Sequence, residues 1–139
     1  MKKTGMLIFS ALLLLSINLN LHQIASAETF IEKGEINGVS YATGGVGIEE
    51  RQAMEKMAGD FNVKVVLAGE SGSYLSGLMV YIEDMTGKMV FECVTKGPWL
   101  YVDLPPGTYR VTSSYNHNSK MQQVKVGEGL RKVIFQWNT

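Results

Sequence analysis

Cysteine is almost missing from this chain: Cys93 stands alone among 139 residues. One thiol excludes an intrachain disulfide, and with so little histidine it leaves too few ligands for a typical zinc site. The two histidines are His22 and His117. Proline occurs three times, at Pro98, Pro105 and Pro106, so its positions act as punctuation. Charge of one sign is missing as well. Thirteen Lys and Arg balance thirteen Asp and Glu, which offers no basic surface for nucleic acid or an anionic membrane. A long apolar run is also lacking: Met6 to Ile17 is about a dozen residues, short of the roughly 20 needed to span a bilayer.

That short run has another meaning. Lys2 and Lys3 precede it, and Ala25-Ser26-Ala27 follows as an A-x-A cleavage site. These are the three parts of a secretory signal, so residues 1–27 are expected to be removed after Ala27. The expected product starts at Glu28, is periplasmic or secreted, and has no stable membrane insertion. Removing 27 of 139 residues leaves 112, and losing Lys2 and Lys3 leaves 11 basic against 13 acidic residues. A chain of that length buries about two-thirds of its unfolded surface, enough for one core.

Residues 28–59 read as an N-terminal arm, a Gly-rich loop and a helix. Phe30-Ile31 and Val39-Ser40-Tyr41 suggest short edge strands around an Asn37-Gly38 turn. Thr43-Gly44-Gly45-Val46-Gly47 reads as a flexible hinge. A helix is predicted over Ile48 to Ala58, with Glu49 and Glu50 at the positive end of its dipole and Lys56 in the last turn. Ala53, Met54, Met57, Ala58 and Phe61 form the stripe that packs down.

Residues 60–139 read as a β-sandwich of seven strands: Phe61–Ala68, Leu78–Glu83, Lys88–Val94, Trp99–Leu104, Thr108–Tyr115, Lys120–Val126 and Leu130–Trp137. Asp84-Met85-Thr86-Gly87 is a type I-like turn, and Asn116-His117-Asn118-Ser119 a polar one. Leu104-Pro105-Pro106-Gly107 joins two strands, with Gly107 free to take positive φ. No internal repeat or second domain is visible.

The pattern from Phe61 to Trp137 resembles the carboxypeptidase-regulatory-like, or transthyretin-like (prealbumin), domains. Leu78-x-Val80-x-Ile82 with the Thr86-Gly87 turn, Leu104 to Val111, and Val133-x-Phe135-x-Trp137 carry the likeness. Gly44 to Arg51, Tyr74-Leu75 and Gly97-Pro98-Trp99 look like a group of small exported proteobacterial proteins of unassigned activity. The resemblance implies a mainly β, seven-stranded Greek-key sandwich with one short N-terminal helix, and an accessory rather than catalytic role.

Four features of the chain could carry chemistry. Cys93 shares a strand face with Met89 and Phe91 and has no cationic neighbour, so it reads as a small buried hydrophobe. Gly44-Gly45-Val46-Gly47 lacks the Lys and Ser/Thr of a phosphate loop, and Glu49 and Glu50 occupy the place of an anion. A small hydrolase would need His117 beside Ser113, Ser114 or Ser119, none of which sits in a nucleophile elbow. A periplasmic copper protein would draw thioethers from Met54, Met57, Met79, Met85, Met89 and Met121 and an imidazole from His117, but these are not clustered. The expectation is therefore a non-catalytic module with no cofactor, binding an unknown protein or cell-envelope polymer.

The proposed interaction surface is Glu49, Glu50, Arg51, Trp99 and Tyr101, with Tyr74 as a further contact. It depends on register. If Leu100, Val102 and Leu104 face the core, Trp99 and Tyr101 form an outward aromatic patch. In the opposite register they are core, the reading preferred for Trp99 because large aromatics anchor sandwich interiors.

Overall fold

A computed structural model describes residues 30–139. The expected signal at 1–27 lies outside the described residues. Among the described residues nine strands form two sheets. The first sheet has the order β1 (Glu32–Ile36), β2 (Val39–Gly44), β6 (Trp99–Asp103), β3 (Val63–Gly69), β9 (Arg131–Trp137). The second has the order β5 (Met89–Val94), β4 (Met79–Asp84), β7 (Gly107–Tyr115), β8 (Asn118–Val126). One helix, α1 (Gly47–Met57), is followed by a 3-10 turn at Ala58–Asp60.

The seven strands predicted from Phe61 onward are β3 to β9, each within a few residues of its expected bounds. The total of seven is corrected to nine, because the arm adds a hairpin. Its Asn37-Gly38 turn has φ of 52° and 77°, the paired positive values of a type I′ turn that suits the right-handed strand twist. Phe30-Ile31 precedes the first strand instead of forming it. Nor is β2 an edge: it pairs with β6 from Ser40↔Asp103 to Gly44↔Trp99. The arm is thus built into the first sheet.

Alternation along each strand fills the space between the sheets. Val63, Val65, Leu67, Leu100, Val102, Leu104, Phe135 and Trp137 from the first sheet meet Val80, Ile82, Phe91, Val111 and Val124 from the second. Asn62 secures the end of this core by pairing its side-chain amide with both backbone groups of Leu104, at 2.7 and 2.9 Å. The Leu104–Gly107 corner has the expected positive φ at its glycine, and a hydrogen bond closes it. Gly107 opens β7 at φ 158°, close to extended, and the Tyr109 hydroxyl donates back to the Pro105 carbonyl at 2.6 Å. Burial and then Asp84 push the Tyr109 phenol above its ordinary range.

A second, smaller core lies on the outer face of the first sheet, where α1 packs. It joins Ala42, Met54, Trp99 and Tyr101, flanked by Ile31, Met57, Ala58, Phe61 and Val66. The predicted helical stripe lands there. The result is three layers: α1, the five-stranded sheet and the four-stranded sheet.

Candidate functional site

The helix approach begins at Gly44-Gly45-Val46-Gly47, which is held in place and is no free hinge. One carboxylate oxygen of Glu50 accepts from the Gly45 and Val46 amides at 3.2 and 3.3 Å. This satisfies donors that the helix start leaves open. Arg51 donates to the Gly45 carbonyl at 3.0 Å. Gly45 takes φ 96°, and a Cβ there would press on the Trp99 indole. Behind it, the Thr43 hydroxyl donates to the Trp99 carbonyl at 2.9 Å and accepts from the Lys96 amide at 3.1 Å. A side chain at Gly97 would run into the Gly44 carbonyl, so the two segments meet backbone to backbone.

This arrangement settles where the five expected surface residues lie. Leu100 and Val102 do face the core, as the first register proposes, but Trp99 and Tyr101 are 7% and 1% exposed because α1 covers them. Glu50 is buried by its loop contacts, Glu49 is exposed, and Arg51 is half-buried. Trp99, Glu50 and Arg51 converge on Gly45, while Glu49 makes no part of that contact set. The expected aromatic platform is therefore interior. The overlooked signal was the unbroken apolar run Trp99-Leu100-Tyr101-Val102, which suits a strand covered on both faces.

Sequence reading also missed Lys64. Its side chain is buried, with the ammonium 3.4 Å from the centre of the Trp99 ring and 5.7 Å from that of Tyr101. The aromatic faces attract the cation. Burial and the neighbouring Lys132 hold its pKa below the ordinary lysine value, with Glu55 opposing. At the rim, Arg51 lies over Tyr74 at 5.1 Å, and Tyr74 itself is exposed.

Among the described residues nothing gives the outer face of the four-stranded sheet such a cover. Register lines up Glu92, Tyr81, Thr112 and Met121 in one row across β5, β4, β7 and β8. The next row places Val94 beside Met79, with Ser114 and Ser119 beyond. On the other side Glu83 meets Arg110 at 3.8 Å. Met121 and Val94 are 59% and 46% exposed. This is a broad, flat surface with apolar patches inside a polar frame.

The remaining candidates separate. His117 occupies the tip of the β7–β8 hairpin at φ 61°, exposed, beside Asn116 at φ 47°. Ser113 is buried and donates to the Met79 carbonyl at 2.9 Å. Among the exposed methionines, Met89 lies on β5 and Met121 on β8. Three strand spacings separate these strands, roughly 14 Å, too far for one ion. Met54 is fully buried under α1. Cys93 is half-buried, and burial followed by the Glu32 charge pushes its thiol up to about 12. Met89 does not share the inward face of Phe91, because a bulge in the β4–β5 ladder skips Val90 and turns it toward the core. Among the described residues no helix is long and apolar enough to cross a membrane.

No protein-family model matches the chain, and a search of curated proteins finds no match to it.

Proposed function

We propose that this chain is an exported, non-catalytic sandwich module, of the Greek-key, transthyretin-like type, that binds a protein or a cell-envelope component in the periplasm or outside the cell. The observation that carries the reading is the unequal treatment of the two sheets. The helix covers the outer face of one, whereas the other presents Tyr81, Met79, Val94 and Met121 to solvent among Thr112, Glu92 and Ser114. An amphipathic tyrosine with flanking methionine and valine supplies contact area at small entropic penalty.

The test is retention of envelope proteins and cell-wall polymer on the immobilised protein, isolated from the periplasmic fraction and checked for Glu28 as its first residue. Tyr81→Glu with Met121→Glu, both on the outer face, should reduce specific retention at least tenfold while leaving the circular dichroism spectrum unchanged. Equal retention by wild type and the folded double variant would sink the surface. A product that keeps Met1 and stays in the cytoplasm would sink the export.

A further inference from the structure

We propose that β5 is a docking edge, which pairs with an extended segment of another protein carrying a basic residue opposite Glu92 and an apolar side chain beside Val90. This rests on the binding role proposed above and gives it a mode. An edge strand offers unpaired N–H and C=O groups to any extended chain, and proteins generally guard such edges. Among the described residues the two sheets have four edges, β1, β9, β5 and β8. On β1 the edge carries Glu32, Lys33 and Glu35 in five residues. On the opposite side, β8 and β9 guard each other. Lys120 donates to the Gln136 carbonyl, Gln122 to the Ile134 carbonyl, and the Trp137 indole to the Asn118 carbonyl.

The β5 edge has neither device. Met89 and Val94 are exposed at its ends, and Glu92 is its only charge. The strand ends its sheet with no partner on the outer side among the described residues, and the bulge at Val90 interrupts the β4 ladder without adding a charge to the edge. Where β5 starts, a groove of about 540 Å³ opens between the sheets, lined by Val39, Lys88, Met89, Val90, Pro105 and Tyr109. Strand addition works by this combination: main-chain bonds give affinity, and a pocket for one side chain gives specificity.

A foreign segment is favoured over a second copy because the two self-pairings that overlap most of β5 fit poorly. Antiparallel two-fold pairing of β5 with itself, centred on Glu92, sets two carboxylates opposite each other, which is destabilising. Centred on Phe91, it sets outward Glu92 opposite inward Val90. A basic side chain opposite Glu92 removes the conflict.

The experiment selects a displayed library of random ten-residue peptides on the immobilised protein, then measures amide hydrogen exchange with the recovered peptides. Added protection is expected at residues 88–94. The exposed-site variant Met89→Lys with Val94→Lys should weaken binding at least tenfold, and Glu92→Lys should shift the selected peptides from basic to acidic. Peptides that bind with protection at Tyr81 and Thr112, unaffected by the lysines, would overturn edge pairing and leave the binding role intact. Failure to recover any peptide, together with no retention of envelope material, would overturn both. A wild-type dimer with β5 protected before peptide is added would also overturn the proposal, in favour of a second copy.

Discussion

Cys93 shows how one residue's environment sets its chemistry. Its thiol is pushed from the ordinary 9.0 to about 12, first by burial and then by Glu32. The native state therefore keeps a proton that the unfolded chain releases above pH 9. The sign follows: this stabilisation is fully present below pH 9 and is lost as pH climbs toward 12. Tyr41, Tyr101 and Tyr109 are raised by burial and act in the same direction above pH 10. Lys64, lowered, acts oppositely as pH approaches 10.5. The readout is thus the difference between wild type and Cys93→Val. The urea midpoint of wild type should fall more steeply between pH 9 and 12 than that of the variant, and parallel curves would refute the assignment. At pH 8 the native thiolate fraction should be roughly 1,000-fold below that of a free thiol. Disulfide reagents should then react at least tens-fold faster after unfolding.

At the scale of the element, the helix and its loop are read from side-chain contacts that act at a distance in sequence. Trp99 is opposite Gly44 in the sheet, presses on Gly45 and carries the Lys64 ammonium. Trp99→Ala should cost about 3–5 kcal/mol by opening a cavity between helix and sheet. Glu50→Gln keeps the shape and an acceptor but loses the charge at the helix start, so it should cost only about 0.5–1.5 kcal/mol. Urea denaturation of both variants decides the order, and a larger loss for Glu50→Gln would mean that loop anchoring outweighs helix packing. The sequence showed the helix within one residue at each end and showed its packing stripe, because capping charge and 3.6 periodicity are local. It did not show that Gly44 to Gly47 is bonded down: the Glu50 and Arg51 bonds are local, but Glu50 read as a helix-dipole charge, and the Trp99 and Gly97 contacts behind the loop arrive from some fifty residues away. The bulge at Val90 was hidden for a similar reason. It is a property of the β4–β5 pair, and the spacing of Met89, Phe91 and Cys93 alone implied one common face.

At the scale of the molecule, stability and association meet at the sheet edges. The β8–β9 seam turns two edges into one closed side through Lys120, Gln122 and Trp137. Lys120→Ala with Gln122→Ala leaves two β9 carbonyls without these donors. Because they are exposed, water can replace the lost partners, and the stability loss should stay near about 1–2 kcal/mol. The sharper consequence is association: the opened β9 edge should produce concentration-dependent oligomers in sedimentation velocity. A variant that remains as monomeric as wild type at every concentration would show that the seam does not guard the edge.

Local patterning by itself determined the mainly β character, the seven strand positions from Phe61 to Trp137, the helix, and the Asn37-Gly38 and Asp84–Gly87 turns. Period-2 alternation, turn chemistry and capping act over a few neighbouring residues, so they survive in a linear reading. The two arm strands became sheet members only when β6 accepted β2 as a partner. Burial of Trp99, preferred from the sequence, and of Tyr101, on the face opposite Leu100 and Val102, also needed the third layer, α1. Pairing order and layer count are fixed by which surfaces meet across the molecule, and alternation cannot tell whether a strand's second face is met by water or by a helix. Tertiary structure alone therefore moved the candidate surface from Trp99 and Tyr101 to the bare sheet around Tyr81 and the open edge at β5.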